Sequence, residues 1–370
     1  MVFPSAEQIE NRIFKDHILI LPDSVRDGIG RCLASSTSEI ENAKTYLSNS
    51  YMKDFWSPPD VRYESDATID AYTIDYLPRN FFIPRIAFRD LALCRKAVRF
   101  NEIIRILDIG SGTGAVSLGT FELFSSKPLS DLSIYFFALD SSVSALKRQV
   151  SILKESGLLF KRNTFMYKPV DLSDVSKVQR ILSSRDPWDI IFSANFMSEL
   201  DSKTQRKLVP ILAENLSKNG SIIIAEPAQN RGRKVPSDIS KLAQEVGLTV
   251  YYPCAEDTEC LKPQCWNWRE YQIGYIKHLL RNGRCILFSD KSLLISMLIL
   301  NKNEATIFDP FRAKHPDLKW GIIAPVKKFG EYELCSLRFI VEPYKYYSRG
   351  SIIGCKEVKG KVIIEVYRTL

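Results

Sequence analysis

Ile103, Ile104 and Ile106 lead into Leu107-Asp108-Ile109-Gly110-Ser111-Gly112-Thr113-Gly114, and a helix-like run from Ala115 to Phe124 follows. An apolar run, a glycine-rich turn and a helix start predict a strand, a tight loop and a helix N-terminus in succession. Glycine has no side chain to hold a ligand away from the backbone, and the first N–H groups of a helix have no partner within it. Few other arrangements accommodate the pattern, so it fixes the centre of the fold and the position of a ligand.

Two ligands fit the turn. Gly110, Gly112 and Ala115 satisfy the dinucleotide pattern G-x-G-x-x-G/A, and Asp140 ends the next apolar run near the place of a ribose contact. Asp108 decides between them. A carboxylate two residues before the turn repels a pyrophosphate and attracts the cationic methionine end of S-adenosylmethionine. The expected ligand is therefore S-adenosylmethionine, with Gly110, Gly112 and Gly114 in its cradle, Asp108 at its ammonium end and Asp140 accepting both ribose hydroxyl protons.

From Ile103 to Tyr252 short apolar runs alternate with longer amphipathic ones, the pattern of a doubly wound parallel sheet. Strands are expected at 103–109, 134–139, 164–169, 190–194, 221–225 and 248–252, and helices at 143–157, 175–183, 203–216 and 238–246. Asn219-Gly220 and Gly247 read as stops between them. Asp171 follows the third strand at the same carboxyl edge as Asp140. It is a candidate acceptor for an adenine amino proton or, alternatively, the N-cap of the next helix. After the fourth strand, Ser193 to Leu200 carries no Asn/Asp-Pro-Pro loop of the kind that grips a flipped-out planar amine. Asn195 and Glu199 are the polar residues there, and Asn195 is counted with the cofactor contacts. Glu226-Pro227 ends the fifth strand, and Gln229 to Lys234 reads as a cationic loop. Residues 1–100 read as a helical extension punctuated by prolines, with Ile40, Ala43, Leu47 and Tyr51 at helical spacing.

Charge is unevenly placed. The whole chain carries +8, with 51 Lys and Arg against 43 Asp and Glu, while the last 60 residues hold 12 basic and 6 acidic side chains. With Trp320, Tyr332, Tyr344, Tyr346 and Tyr347 interleaved, residues 311–370 predict a basic β-rich unit suited to a phosphate-rich partner such as RNA. No apolar run approaches a membrane span, and the first residues lack a signal-peptide core, so no membrane partner is expected. The expected location is cytoplasmic, or mitochondrial for a processed organellar form.

Eight cysteines in such a chain argue against a disulfide framework. Cys254, Cys260 and Cys265 lie within 12 residues with spacing C-x5-C-x4-C. Three thiols on one loop suit a soft metal centre, either zinc or an iron-sulfur cluster. A fourth ligand would come from Cys335, Cys355, Cys285 or His278.

Taken together, these segments resemble the methyltransferase-like assembly factors of the mitochondrial small ribosomal subunit and their bacterial and archaeal relatives. Tyr72 to Leu93 resembles the family's lead-in helix, Leu107 to Gly114 its cofactor turn, and Asp189 through Ser198-Glu199-Leu200 its "D-hydrophobic … S-E-L" segment. Ile224 to Pro227 resembles its "E-P-G" segment, with Ala228 in place of the glycine; Pro253 to Trp266 resembles its cysteine loop. Phe288 to Leu300 resembles its penultimate strand, and Ile322 to Cys335 the stretch bearing its last cluster cysteine. The resemblance implies a Rossmann-like, seven-stranded S-adenosylmethionine-dependent methyltransferase fold over 101–310, with the cysteine loop inserted at 253–270. It also implies a [4Fe-4S] cluster held by Cys254, Cys260, Cys265 and Cys335, and small-subunit rRNA or a ribosomal particle as partner. The function expected is either an rRNA methyltransferase or a non-catalytic RNA-binding scaffold, with a small-molecule or protein methyltransferase as a third reading.

Overall fold

The structure is a computed structural model that describes residues 5, 7, 18–52, 65–94, 102–125, 129–159, 162–228, 230–253, 268–274, 276–279, 285–288, 292–325, 332–334, 340–341, 351–358 and 361–368. The backbone alone is described at 18, 51–52, 230–231, 268, 276–279, 285–288 and, for the described residues beyond 320, everywhere except 351–356.

The N-terminal part supplies β1 (Ile18–Leu19), α1 (Asp23–Cys32), α2 (Thr37–Met52), α3 (Asp66–Asp75), α4 (Leu77–Asn80) and α5 (Ile83–Ala92). Strand and helix then alternate: β2 (Ile103–Ile109), α6 (Ala115–Phe124), β3 (Ser133–Asp140), α7 (Val143–Glu155), β4 (Thr164–Pro169), α8 (Val175–Ser183), β5 (Trp188–Ala194), α9 (Ser202–Glu214), β6 (Leu216–Pro227), α10 (Asn230–Glu245) and β7 (Thr249–Tyr252). The remainder comprises β8 (Trp268–Ile273), β9 (Ile276–Leu279), β10 (Cys285–Phe288), β11 (Ser292–Asn301), α11 (Asp309–Lys314), β12 (Lys319–Pro325), β13 (Tyr332–Leu334), β14 (Ile340–Val341), β15 (Ile352–Val358) and β16 (Lys361–Arg368).

The main sheet runs β1-β8-β11-β6-β5-β2-β3-β4, with β7 also on β11. Strands β4, β3, β2, β5 and β6 are mutually parallel, whereas β11 is antiparallel to β6. From β2 the chain builds outward through β3 and β4, then returns to the other side of β2 for β5 and β6. The order reverses between β2 and β5, where open α/β sheets leave a crevice at the carboxyl ends of their strands.

Alternation along β2 sorts the layers. Ile104 and Ile106 join one apolar core with α1–α7, while Leu107 and Ile109 join another with α8, α9 and α10. The N-terminal helices therefore cover one face of the sheet, the role their apolar spacing suggests; Ile40, Ala43 and Leu47 of α2 are buried there. Their approach is close because α6 presents Gly119, where a Cβ would fall 2.0 Å from the Phe81 carbonyl oxygen.

Strands β2 and β4 and helix α8 occupy the predicted residues without change. Two expectations are corrected. Asn219-Gly220 lies inside β6, which starts at Leu216, because α9 already stops at Asn215. The cationic loop at 229–234 is also mostly helical: α10 begins at Asn230 and carries Pro236 within it. Gly232 makes this possible, since a side chain there would meet the Pro227 carbonyl oxygen at 2.1 Å.

A separate five-stranded sheet, β14-β13-β12-β15-β16, forms from Lys319 onward. Residues 310 and 311, the predicted junction, lie inside α11. Trp320 and Ile352 of this sheet are buried in the same apolar core as the N-terminal helices. Among the described residues no helix is long and apolar enough to cross a membrane.

Candidate cofactor site

The turn after β2 is tied to the end of β3: the amides of Gly110 and Ser111 donate to the Leu139 carbonyl at 2.9 and 3.1 Å. Gly110 and Gly112 take φ of +71° and +52°, which L side chains rarely adopt. Gly110 is closed further by Phe196, whose ring would lie 2.3 Å from an added Cβ. Gly114, also expected in the cradle, instead forms the N-cap of α6 with φ +94° and does not line the cavity.

Beside the turn is a cavity lined by Tyr72, Gly110, Gly112, Asp140, Asp171 and Asn195, with Phe196 and Glu199 among its other walls. The strands deliver these groups from three directions. Asp140 ends β3, Asp171 follows β4, and Asn195 to Leu200 follows β5, so the sheet's carboxyl edge assembles predicted residues that are far apart in the chain.

Asp140 is held in place by the loop that it serves. Its Oδ2 accepts the Gly112 amide and its Oδ1 the Ser142 amide, both at 2.8 Å. A carboxylate has about four lone-pair sites, so each oxygen retains capacity for a hydroxyl donor. Burial raises its pKa against the pull of these amides. Asp171 also faces the cavity, and its Oδ1 accepts the Ser173 amide at 2.9 Å and hydroxyl at 2.7 Å. The N-cap of α8 is Asp174, not Asp171, since Asp174 accepts the Lys177 amide at 3.1 Å.

Asn195 adopts φ +56°, a left-handed conformation outside glycine that is favoured where a loop is constrained around a site. Tyr72 of α3 closes the opposite wall, stacked on Tyr76 at 4.8 Å, with Arg79 5.0 Å from the Tyr76 ring. Burial, then Glu199, pushes the Tyr72 hydroxyl far above its ordinary range, so it stays a neutral donor. Sequence reasoning places Tyr72 in a lead-in helix and gives it no wall position. Only the docking of α3 on α7 reveals one.

Asp108 differs from its expected place. It lies wholly buried in β2, does not line the cavity, and neither carboxylate oxygen has a hydrogen-bond partner among the described residues. Burial, then the nearby Asp140, pushes its pKa well above the usual carboxylate range.

The charge of the cavity wall follows from this inventory. Asp140, Asp171 and Glu199 line it, and no lysine or arginine does so among the described residues. A pyrophosphate would meet three acids and no cation. A ligand with a sulfonium and an ammonium group meets complementary charge, and the orphaned Asp108 lies behind the same loop.

The predicted metal ligands Cys254, Cys260, Cys265 and Cys335 lie outside the described residues. Of the other candidates, His278 and Cys285 are described by backbone alone. Cys355 is buried in β15 and its thiol donates to the Lys319 carbonyl at 3.6 Å. Among the described residues no group of three or more His, Cys, Asp or Glu side chains is placed to hold a metal ion.

No protein-family model matches the chain. No curated protein matches its sequence. Solved structures that it resembles include a TehB-like S-adenosylmethionine-dependent methyltransferase from Corynebacterium glutamicum, at 17% identity over 56% of this chain and 85% of that one, with a TM-score of 0.32. A second is magnesium protoporphyrin IX methyltransferase from Synechocystis with S-adenosylhomocysteine bound, at 12% identity over 70% of this chain and 99% of the other, with a TM-score of 0.35. A third is precorrin-6y C5,15-methyltransferase from Geobacter metallireducens, at 13% identity over 57% and 84% of the two chains, with a TM-score of 0.34. At this likeness the fold assignment rests on the strand order itself: a Rossmann-like α/β fold with a parallel-dominated sheet.

Proposed function

We propose that the cavity binds S-adenosylmethionine and that the chain is a methyltransferase-like protein. The observation that carries this reading is a wall of three carboxylates and no cation beside a glycine turn at the switch point of the sheet. Asp140 would take the ribose hydroxyls and Asp171 the adenine amino group, while the Gly110–Gly112 backbone lies against the methionine portion. Asp108, buried behind the turn with its charged form disfavoured in the free protein, would gain a compensating cation when the ligand's positive end is bound. When bound, this cofactor supplies an activated methyl group for in-line transfer to a nucleophile. The chain's own contribution is to orient that group and to exclude water with Tyr72 and Phe196.

We further propose small-subunit rRNA or a ribosomal particle as the partner, bound through the basic 311–370 unit, and a structural [4Fe-4S] cluster on Cys254, Cys260, Cys265 and Cys335. Four thiols are a donor set that suits an iron-sulfur cluster, with zinc as the alternative. The support is the order of the segments that resemble the assembly-factor family and the +6 charge of the last 60 residues. A second reading, a non-catalytic RNA-binding scaffold, is favoured by the loop after β5. It lacks an Asn/Asp-Pro-Pro grip, and Phe196 is packed down on Gly110.

The deciding experiment is transfer of radiolabelled methyl to purified small-subunit particles and to naked rRNA, compared with Asp140→Ala. Label on RNA that the variant abolishes establishes the enzyme reading. RNA binding and cofactor binding without transfer leave the scaffold reading, and no binding of S-adenosylmethionine by calorimetry refutes the site. Absorbance and metal analysis of anaerobically purified protein decide the cluster: stoichiometric zinc without iron rules out the iron-sulfur form.

A further inference from the structure

Glu226 ends β6, is wholly buried, and does not line the cavity. Its carboxylate is turned toward the loop behind the cavity wall. Oε2 accepts the Ser198 hydroxyl at 2.7 Å and Oε1 the Ser198 amide at 3.3 Å, while the nearby amides of Met197 and Phe196 favour its charged form. One acid thus holds both the amide and the hydroxyl of Ser198 and faces the two preceding amides, much as an N-cap faces the first turn of a helix.

Those three residues connect Asn195 to Glu199, both in the cavity wall, and Phe196 is the side chain that rests on Gly110. We propose that Glu226 is the positioning residue of this site, its carboxylate fixing the Asn195–Leu200 loop so that Asn195 and Glu199 face the ligand and Phe196 seals the glycine turn. Its consequence for ligand affinity rests on the methyl-donor reading above. Its consequence for the loop does not.

The surroundings make the carboxylate's ionisation part of the device. Strand β11 contains no charged residue, and Asp189, the one in β5, stands at that strand's opposite end. The loop itself contributes Glu199, and the first turn of α10 carries Arg231, Arg233 and Lys234. Burial pushes the carboxyl up to about 7 against the pull of the Ser198, Met197 and Phe196 donors. Protonation converts one accepting oxygen into a donor and weakens its hold on the loop. The loop is therefore best fixed above neutrality.

Hydrogen exchange on the full-length protein tests this without any ligand. In Glu226→Ala the amides of Phe196, Met197 and Ser198 should lose at least tenfold in protection while those of β2 and β5 keep theirs. Unchanged protection overturns the proposal. If Glu226→Ala fails to fold, Glu226→Gln decides. Wild-type protection at 196–198, corrected for intrinsic exchange, should rise between pH 6 and 8 and that of Glu226→Gln should stay flat. A wild-type-like rise in Glu226→Gln overturns the proposal. Calorimetric titration with S-adenosylhomocysteine should show affinity following the same profile and weakening at least fivefold in Glu226→Ala. Absence of binding by the wild-type protein at every pH defeats the methyl-donor reading and leaves the exchange result to judge Glu226.

Discussion

Acids withdrawn from water are treated in opposite ways in two parts of this molecule. Asp90 of α5 lies between two guanidinium groups. Arg89 donates to its Oδ1 at 2.8 and 2.9 Å, and Arg269 of β8 approaches its Oδ2 at 2.7 Å. Arg269 also donates to the Tyr252 hydroxyl at 2.8 Å and lies over that ring. These cations outweigh the cost of burial and hold the Asp90 carboxyl below the usual range. At the cavity, the buried Asp108 and Glu226 and the half-buried Asp140 lack such partners, and desolvation pushes all three up. A chain able to neutralise a buried acid at one place leaves three poorly neutralised around one loop. That difference separates a part built for rigidity from one that receives its compensating charge from outside.

The comparison is easiest to break at Asp90. Asp90→Ala strands two buried guanidiniums, and removing one partner of a buried ion pair costs about 3–5 kcal/mol. Chemical denaturation at pH 7 should show that loss, and a change below 1 kcal/mol would mean that the cluster is not what holds α5 to β8. The next effect is in the pH dependence. Glu226 has a raised folded pKa, so the cost of burying its charge is absent below about 4.5 and global stability falls as pH rises through about 7, even though the ionised carboxylate is the form that holds the loop. Moving the carboxyl from 4.5 to about 7 corresponds to roughly 3 kcal/mol. Denaturation midpoints of wild-type protein should fall across that window, and those of Glu226→Gln should fall less. Asp90, with its lowered pKa, acts with the opposite sign and is felt only on acidification.

Ligand binding gives a smaller effect. Asp140→Asn should weaken S-adenosylmethionine binding about 10- to 100-fold, as expected for hydrogen bonds to a charged acceptor worth about 1.5–3 kcal/mol. The smallest change is expected at Asp108. Asp108→Asn should alter the stability of the ligand-free protein by less than about 1 kcal/mol, because burial already disfavours the charge that the substitution removes and neither carboxylate oxygen has a hydrogen-bond partner to lose among the described residues. A loss as large as that of Asp90→Ala would erase the distinction between the two regions.

Much of the sheet was legible because its signals are local. Ile103 to Ile109 and Thr164 to Pro169 are bounded by turn residues, and Val175 to Ser183 is amphipathic, so periodicity placed all three. Asp140 was legible for the same reason, as an acid ending a strand. What escaped depends on contacts between distant segments. Arg269 lies about 180 residues from Asp90, and nothing in either neighbourhood announces the other. Gln229 to Lys234, with a glycine inside and Pro236 just beyond, reads as a loop, yet from Asn230 onward packing against the end of β6 overrides the local preference. Phe196 reads as one more apolar residue until Gly110 is seen beneath it. Asp108 was identified as an acid beside the turn, but the alternation of β2 that turns it inward toward Ile104 and Ile106 removes it from the cavity wall.

Strand β11 is bordered by β6 along one edge and shared by β7 and β8 along the other. Tyr252 is registered with Ile299 and Trp268 with Ser296, three residues apart on the same strand, roughly 10 Å. The segment that carries Cys254, Cys260 and Cys265 therefore leaves and re-enters the sheet at neighbouring rungs. Most of the entropy of closing that loop is lost when the sheet forms, not when a metal arrives. Changes in the segment's length should accordingly affect what the thiols hold far more than whether the protein folds.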